Sequence, residues 1–211
     1  MRRLIVSTVI AATGLTVLAG CSNGAGGSSA ATGAHQPGAS VGPKSGGVNP
    51  NAPEHAPAGD IPDSTVYIPF HAPSGKWTVS VPQGWARTSS GGATEFTDKL
   101  NSVRLNATPA ATAPTVASAK ANTVPKISAH QRGAKITAVH TVARKSGQAL
   151  LIAYTTKGAP NPVTGKAVSQ SVQRYSYFHR GTLLVVTVSG PVGADNVDPW
   201  RTITDSVSWS A

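Results

Sequence analysis

Gly75-Lys76-Trp77-Thr78-Val79-Ser80-Val81-Pro82-Gln83-Gly84-Trp85 is the stretch from which the fold is read. Trp77, Val79 and Val81 alternate with Thr78 and Ser80, the period of two that marks a half-buried strand. Pro73-Ser74-Gly75 sets a turn before it, and Pro82-Gln83-Gly84-Trp85 closes it. Working back, Tyr67, Ile68 and Phe70 form an apolar strand that precedes the turn. Working forward, residues 94–98 and 102–106 read as two short strands across a Lys99-Leu100-Asn101 turn.

Residues 107–131 are rich in Ala and Thr. Val116, Ala119, Thr123 and Ile127 approximate a helical stripe, which Pro125 must kink or split. Four strand-like runs follow, Ile136–Val142, Ala149–Thr155, Val168–Phe178 and Leu183–Val188. His179-Arg180-Gly181-Thr182 predicts a tight hairpin between the last two. Asp198 followed by Pro199 predicts a helix start, with Asp198 as N-cap. Trp200, Ile203 and Val207 then share one face. Sequential strands with two helices define an α+β class: an antiparallel sheet with two flanking helices.

The 75–85 run resembles the hairpin of the PsbP/Mog1-like fold, as carried by bacterial lipoproteins of the LpqN/LpqT type. The similarity continues through Glu95-Phe96-Thr97-Asp98 and the Ala-rich segment. It ends with Asn196-Val197-Asp198-Pro199-Trp200 and Ser206-Val207-Ser208-Trp209, so it covers about residues 65–210. The resemblance implies a central antiparallel sheet with helices packed on it. It also implies an extracytoplasmic or chaperone-like binding module without a common catalytic residue, so no functional residue is carried over. Pro82, Gly84 and Trp85 read as turn and core residues; the sharper alternative makes Trp85 a ligand platform.

Residues 1–21 read as a targeting segment. Arg2 and Arg3 form a basic start, and Leu4 to Leu18 is an apolar run too short to span a bilayer. Leu18-Ala19-Gly20-Cys21 resembles a bacterial lipobox, with Cys21 as the acylated new N-terminus; the alternative is an ordinary signal peptide cut near Ala19. Diacylation at Cys21, with palmitate among the chains, implies a protein on the extracytoplasmic face of the cell membrane. The expected organisation is a lipoprotein signal peptide over 1–20, a lipidated, disordered Gly/Ser/Ala/Pro-rich tether over 21–63, and a single α+β domain over 64–211. Low apolar content keeps such a tether disordered, with a reach of roughly 35 Å.

The chain of 211 residues carries 18 basic and 8 acidic residues, a formal charge of +10. Between Asp98 and Asp195 there is no acidic residue, while twelve basic ones fall there. Such a field attracts polyanions. At an envelope address these are lipid headgroups, cell-wall polymers and acidic proteins; the address and the lack of a motif argue against nucleic acid. The densest cluster, Arg132, Lys135, Arg144 and Lys145, straddles the strand 136–142 and is the candidate binding site for an anionic partner. A generic soluble surface is the bland alternative. If that strand lies at an edge, its two ends form separate patches.

One Cys excludes an intramolecular disulfide and any Cys-based metal site. Within residues 64–211 no G-x-S-x-G elbow, phosphate loop or paired-histidine motif occurs. His140 falls on the face of Ile136, Ala138 and Val142 and is expected to be packed. No cofactor is expected. The expected function is a non-enzymatic binding or accessory module of the cell envelope, for an anionic polymer, a lipid or a partner protein. The alternative is an extracytoplasmic hydrolase or transferase, which a pocket with a perturbed acid near Glu95 or Asp205 would favour.

Overall fold

Strand β2 (Trp77–Pro82) is the centre of a three-stranded antiparallel sheet, between β1 (Tyr67–His71) and β10 (Ser208–Trp209). The computed structural model describes residues 59–160 and 165–210. The alternation read from the sequence holds: Trp77, Val79 and Val81 are buried, and Thr78 and Ser80 are half-buried. Burying each of the three large side chains contributes roughly 1.5–3 kcal/mol. Gly75, with φ of 69°, makes the turn between β1 and β2.

A second, seven-stranded sheet has the order β3-β4-β5-β9-β8-β7-β6, antiparallel throughout. Its members are β3 (Ala86–Ser90), β4 (Ala93–Asp98), β5 (Asn101–Pro109), β6 (Lys135–Arg144), β7 (Gly147–Pro160), β8 (Ala167–His179) and β9 (Thr182–Pro191). The β8–β9 hairpin turns on Arg180 (φ 43°) and Gly181 (φ 76°). Two left-handed residues make the type I′ turn whose twist suits paired strands.

Two apolar layers enclose this sheet. On one face Phe96, Leu105, Tyr177, Leu184 and Val186 pack with Phe70, Trp77 and Val79 of the small sheet and with Trp200 and Ile203. The other face is covered over β6–β8, where Leu150, Ile152, Tyr154 and Val172 meet Ala119 and Ile127. The covering segment is α1 (Val116–Ser118), a π-helical stretch Ala119–Thr123, and α2 (Val124–His130). Pro125 thus splits the helix as expected. It sits in the first turn of α2, where its missing N–H is harmless, and the widened turn lies just before it. The first of the two expected flanking helices is therefore three short helical pieces.

Helix α3 (Val197–Asp205) corrects one expectation. Asp198 is not the N-cap: it lies inside the first turn, where its charge suits the helix dipole. Asn196 holds the cap position, and its side chain is turned to other partners. It accepts from the Ile61 N–H at 2.8 Å and donates to the Gly59 carbonyl at 3.0 Å and to Asn101 Oδ1 at 3.2 Å. This clasp draws residues 59–61 into the fold, so packed chain begins before Ser64; Ile61 is a core residue.

His140 is exposed, contrary to expectation. A bulge between Ile136 and Ala138 turns Ile136 to the helix-covered face, together with Val139. His140 therefore does not share a face with Ile136, and β6 is an edge strand with nothing beyond it to bury the ring.

Candidate functional site

The turn Pro73-Ser74-Gly75-Lys76 is one wall of a groove at the end of the two sheets. Three cavities that share lining residues make up this groove. The largest, about 480 Å³, lies between the small sheet and the β3–β4 hairpin and is floored by Phe70, Trp77 and Leu105. The middle one, about 180 Å³, has Trp77, Ala107 and Thr182 in its wall. The third, about 240 Å³, is bounded by Lys76, His179, Arg180 and Trp209.

Strand pairing explains how distant residues meet there. Trp209 of β10 pairs with Trp77 of β2, and the β8–β9 turn carries His179 and Arg180 to the same end. The His179 ring stacks on Trp209 with centroids 5.1 Å apart and planes at 23°. At the other end Arg87 lies over Phe70, its guanidinium carbon 4.7 Å from the ring centroid, and 6.0 Å from that of Phe96. Phe70 in turn packs against Trp77 at 5.9 Å and Phe96 at 5.3 Å. Such cation–π contacts hold an exposed guanidinium over an apolar floor.

Every formally charged side chain that lines the groove is basic: Lys76, Arg87 and Arg180. The groove therefore joins an aromatic floor to a cationic rim. Chemically it suits an anion that carries an apolar part.

A cavity at the opposite end of the strands has a lining of the opposite sign. Asp60 and Asp98 line a cavity of about 460 Å³ with Trp85 and Asn101. The Asp195 N–H donates to Asp60 Oδ1 at 2.9 Å, which adds a third carboxylate to this end. Trp85 is half-buried and packs against the core, so its ring serves both the fold and the wall of this cavity.

The four cations singled out from sequence are not brought together. Arg132 and Lys135 are at one end of β6, Arg144 and Lys145 at the other, and a ten-residue strand separates them by roughly 30 Å. Because β6 is an edge strand, the two ends are separate patches. Arg144 is also committed internally. It donates to Thr204 Oγ1 at 3.1 Å, to the Ala143 carbonyl at 3.0 Å and to Tyr175 Oη at 3.0 Å. It lies 4.9 Å from the Tyr175 ring centroid and 3.7 Å from an Asp205 oxygen. Beneath it, burial pushes the Tyr177 phenol well above its usual range, with Arg144 opposing. Arg132, Lys135 and Lys145 are exposed. Cys21 lies outside the described residues.

Glu95 and Asp205, the two acids named for the catalytic alternative, are each ion-paired. Glu95 lies 3.5 Å from Arg104, and Asp205 bridges Arg144 and Arg201. Among the described residues no group of three or more His, Cys, Asp or Glu is arranged to hold a metal ion. Among them, too, no helix is long and apolar enough to cross a membrane. The groove residues Lys76, Arg87, His179 and Arg180 were not singled out from sequence. Lys76, His179 and Arg180 have only their position in or beside Gly-containing turns as a local signal, and Arg87 lies within β3; their convergence depends on strand pairing, of β10 with β2 and of β3 with β4.

The sequence matches no family model and no curated protein. Solved structures give distant likenesses. A protein of Bacteroides thetaiotaomicron is similar at 10% identity and a TM-score of 0.45, over 68% of this chain and 48% of that one. The chain thus spans about half the length of that protein. The PsbP protein CyanoP of Synechocystis sp. is similar at 14% identity and a TM-score of 0.48, over 74% of this chain and 100% of that one. LpqN of Mycobacterium tuberculosis, described as involved in cell envelope biogenesis, is similar at 10% identity and a TM-score of 0.40, over 71% and 93% of the two chains. No residue and no activity passes from these proteins to this chain.

Proposed function

We propose that this protein is a lipid-anchored binding module on the extracytoplasmic face of the cell membrane, not an enzyme. It engages an anionic polymer, lipid or partner protein of the envelope, and the groove at the Ser74-Gly75-Lys76 turn receives the ligand. One observation carries the reading: the groove has an aromatic floor, and its charged rim is wholly basic. An anion with an alkyl segment satisfies both parts at once, the alkyl segment against Phe70 and Trp77, the anion against Lys76 and Arg180. The lipobox-like Leu18-Ala19-Gly20-Cys21 supports the anchor.

Two measurements test the two halves. Labelled palmitate fed to cells expressing the full chain is expected in the protein and absent from Cys21→Ser; equal labelling of both refutes the anchor. Calorimetry of the Cys21→Ser chain against monododecyl phosphate is expected to show binding that weakens with salt. Uncharged monododecyl tetraethylene glycol is expected to bind far less. Equal affinity for both amphiphiles, or none for either, refutes the groove reading.

A further inference from the structure

The register of the large sheet sets four side chains in one row. Glu95 pairs with Arg104, Arg104 with Thr187, and Thr187 with Arg174. Directly paired residues share a face. Val103 and Leu105 point into the main core, so Arg104 and the rest of the row stand on the opposite face. This is the helix-covered face over β6–β8, where Arg174 pairs with Ile152 of the covered layer. The row and the groove lie on opposite faces of the same strands: Thr94 and Leu105, next to Glu95 and Arg104, line the groove.

The charges in the row do not balance. Arg104 has Glu95 at 3.5 Å, and both side chains are partly exposed, at 47% and 34%. Arg174 has no ion pair among the described residues, and its Nε is buried without a hydrogen-bond partner there. Burial lowers the affinity of its guanidinium for the proton, Tyr154 opposes this, and Arg104 adds to it. An arginine keeps its charge nevertheless. Buried charge without a counter-ion is costly, and a group left so calls for an explanation.

We propose that Arg104 and Arg174, reaching over Thr187 from either side, form a binding site for a phosphoryl group. Their Cα atoms are two strand spacings apart, roughly 10 Å, so the long side chains approach each other above the short threonine. Each guanidinium offers a planar fork of donors. A carboxylate has its two oxygens on one edge and serves one fork well. A tetrahedral phosphoryl group presents oxygens on every side, so it meets both forks and the Thr187 hydroxyl. Glu95 is the resident competitor, which the ligand releases from Arg104. The phosphoryl group can belong to a free anion or to a lipid headgroup.

The test uses the full chain in its Cys21→Ser form, with arginine Nε–H resonances followed by NMR. Inorganic phosphate, glycerol 1-phosphate and phosphatidylglycerol vesicles are three arms, with acetate as the planar control. Saturable shifts at Arg104 and Arg174 with any phosphoryl arm support the site, and the arm that saturates first names the source. Arg174→Met is expected to weaken that binding about tenfold or more. Arg174→Lys keeps the charge without the fork and is expected to restore only part of it. Glu95→Gln removes the competitor and is expected to tighten binding, a gain that loss of structure cannot produce. No shift at either arginine with any arm overturns the proposal. So does acetate as effective as phosphate, or Glu95→Gln that binds no better than the parent.

Discussion

Asn196 shows how one side chain sets a boundary. Its amide joins the Ile61 N–H, the Gly59 carbonyl and Asn101, and so ties the start of the packed chain to the start of α3. Asn196→Ala leaves these buried groups without partners and is expected to lower stability by about 2–3 kcal/mol in urea titrations. A loss no larger than that of an exposed Asn→Ala change would contradict this role. Gly190 belongs to the same clasp: an added Cβ would stand 2.5 Å from Asn101 Oδ1 and 2.7 Å from Asn196 Nδ2. Gly190→Ala is therefore expected to destabilise by about 1–3 kcal/mol. From sequence, Asp198-Pro199 was the cap signal. The part that Asn196 plays rests on a contact with a residue 135 positions away, which no local pattern carries.

Tyr177 makes a pH prediction at the same scale. Its phenol donates to the Thr204 carbonyl at 2.8 Å, and burial first, with Arg144 opposing, holds its proton affinity above the usual value of 10.0. Above about pH 10 the unfolded phenol loses its proton while the folded one keeps it. The folded state then binds more protons, so stability falls as pH rises through this range. Tyr177→Phe is expected to flatten that alkaline fall in urea midpoints measured from pH 8 upward. An unchanged slope would show that other groups control it.

Elements reveal a different division of labour. Strands with one apolar face, such as β2 and β9, were legible because alternation is a property of neighbours in sequence. β3 was not: all five residues of Ala86–Ser90 are exposed, so no apolar period marks it, and its pairing with β4 defines it. The ends of β7 and β8 likewise run past their apolar centres, because backbone pairing continues where burial stops. At the far end of β6, Arg144 links the edge strand to α3 through Thr204 and Asp205, whereas Lys145 is exposed. Arg144→Met is thus expected to cost about 2–3 kcal/mol, in the manner of breaking a largely buried pair. Lys145→Ala is expected to stay within about 0.5 kcal/mol. Similar effects from both would contradict the distinction.

At the scale of the whole molecule, the cavities at the two ends of the strands differ in the charge of their linings. The one beside residues 59–61 has Asp60 and Asp98, with Asp195 next to Asp60, although Lys99, Arg132, Lys135 and Lys157 stand at the same end of the sheet; the groove has Lys76, Arg87 and Arg180. β5, nine residues long, spans most of that distance, roughly 30 Å. The basic excess was plain in the composition. Its location was not, because the sequence concentrates it at Arg132–Lys145 while the fold divides that cluster and gathers a different set. A groove assembled from β2, β3, the β8–β9 turn and β10 exists only once the two sheets are packed. Its content was therefore invisible to any reading of adjacent residues.

The groove reading is tested most directly by intermolecular NOEs between monododecyl phosphate and the aromatic rings of the Cys21→Ser chain. Cross-peaks from the alkyl chain to Phe70 and Trp77 are expected, together with shifts at His179 and Trp209, and both are expected to vanish in the Lys76→Gln, Arg180→Gln variant. Cross-peaks confined to Trp85 and the cavity lined by Asp60 and Asp98, or binding that survives loss of both cations, would contradict it.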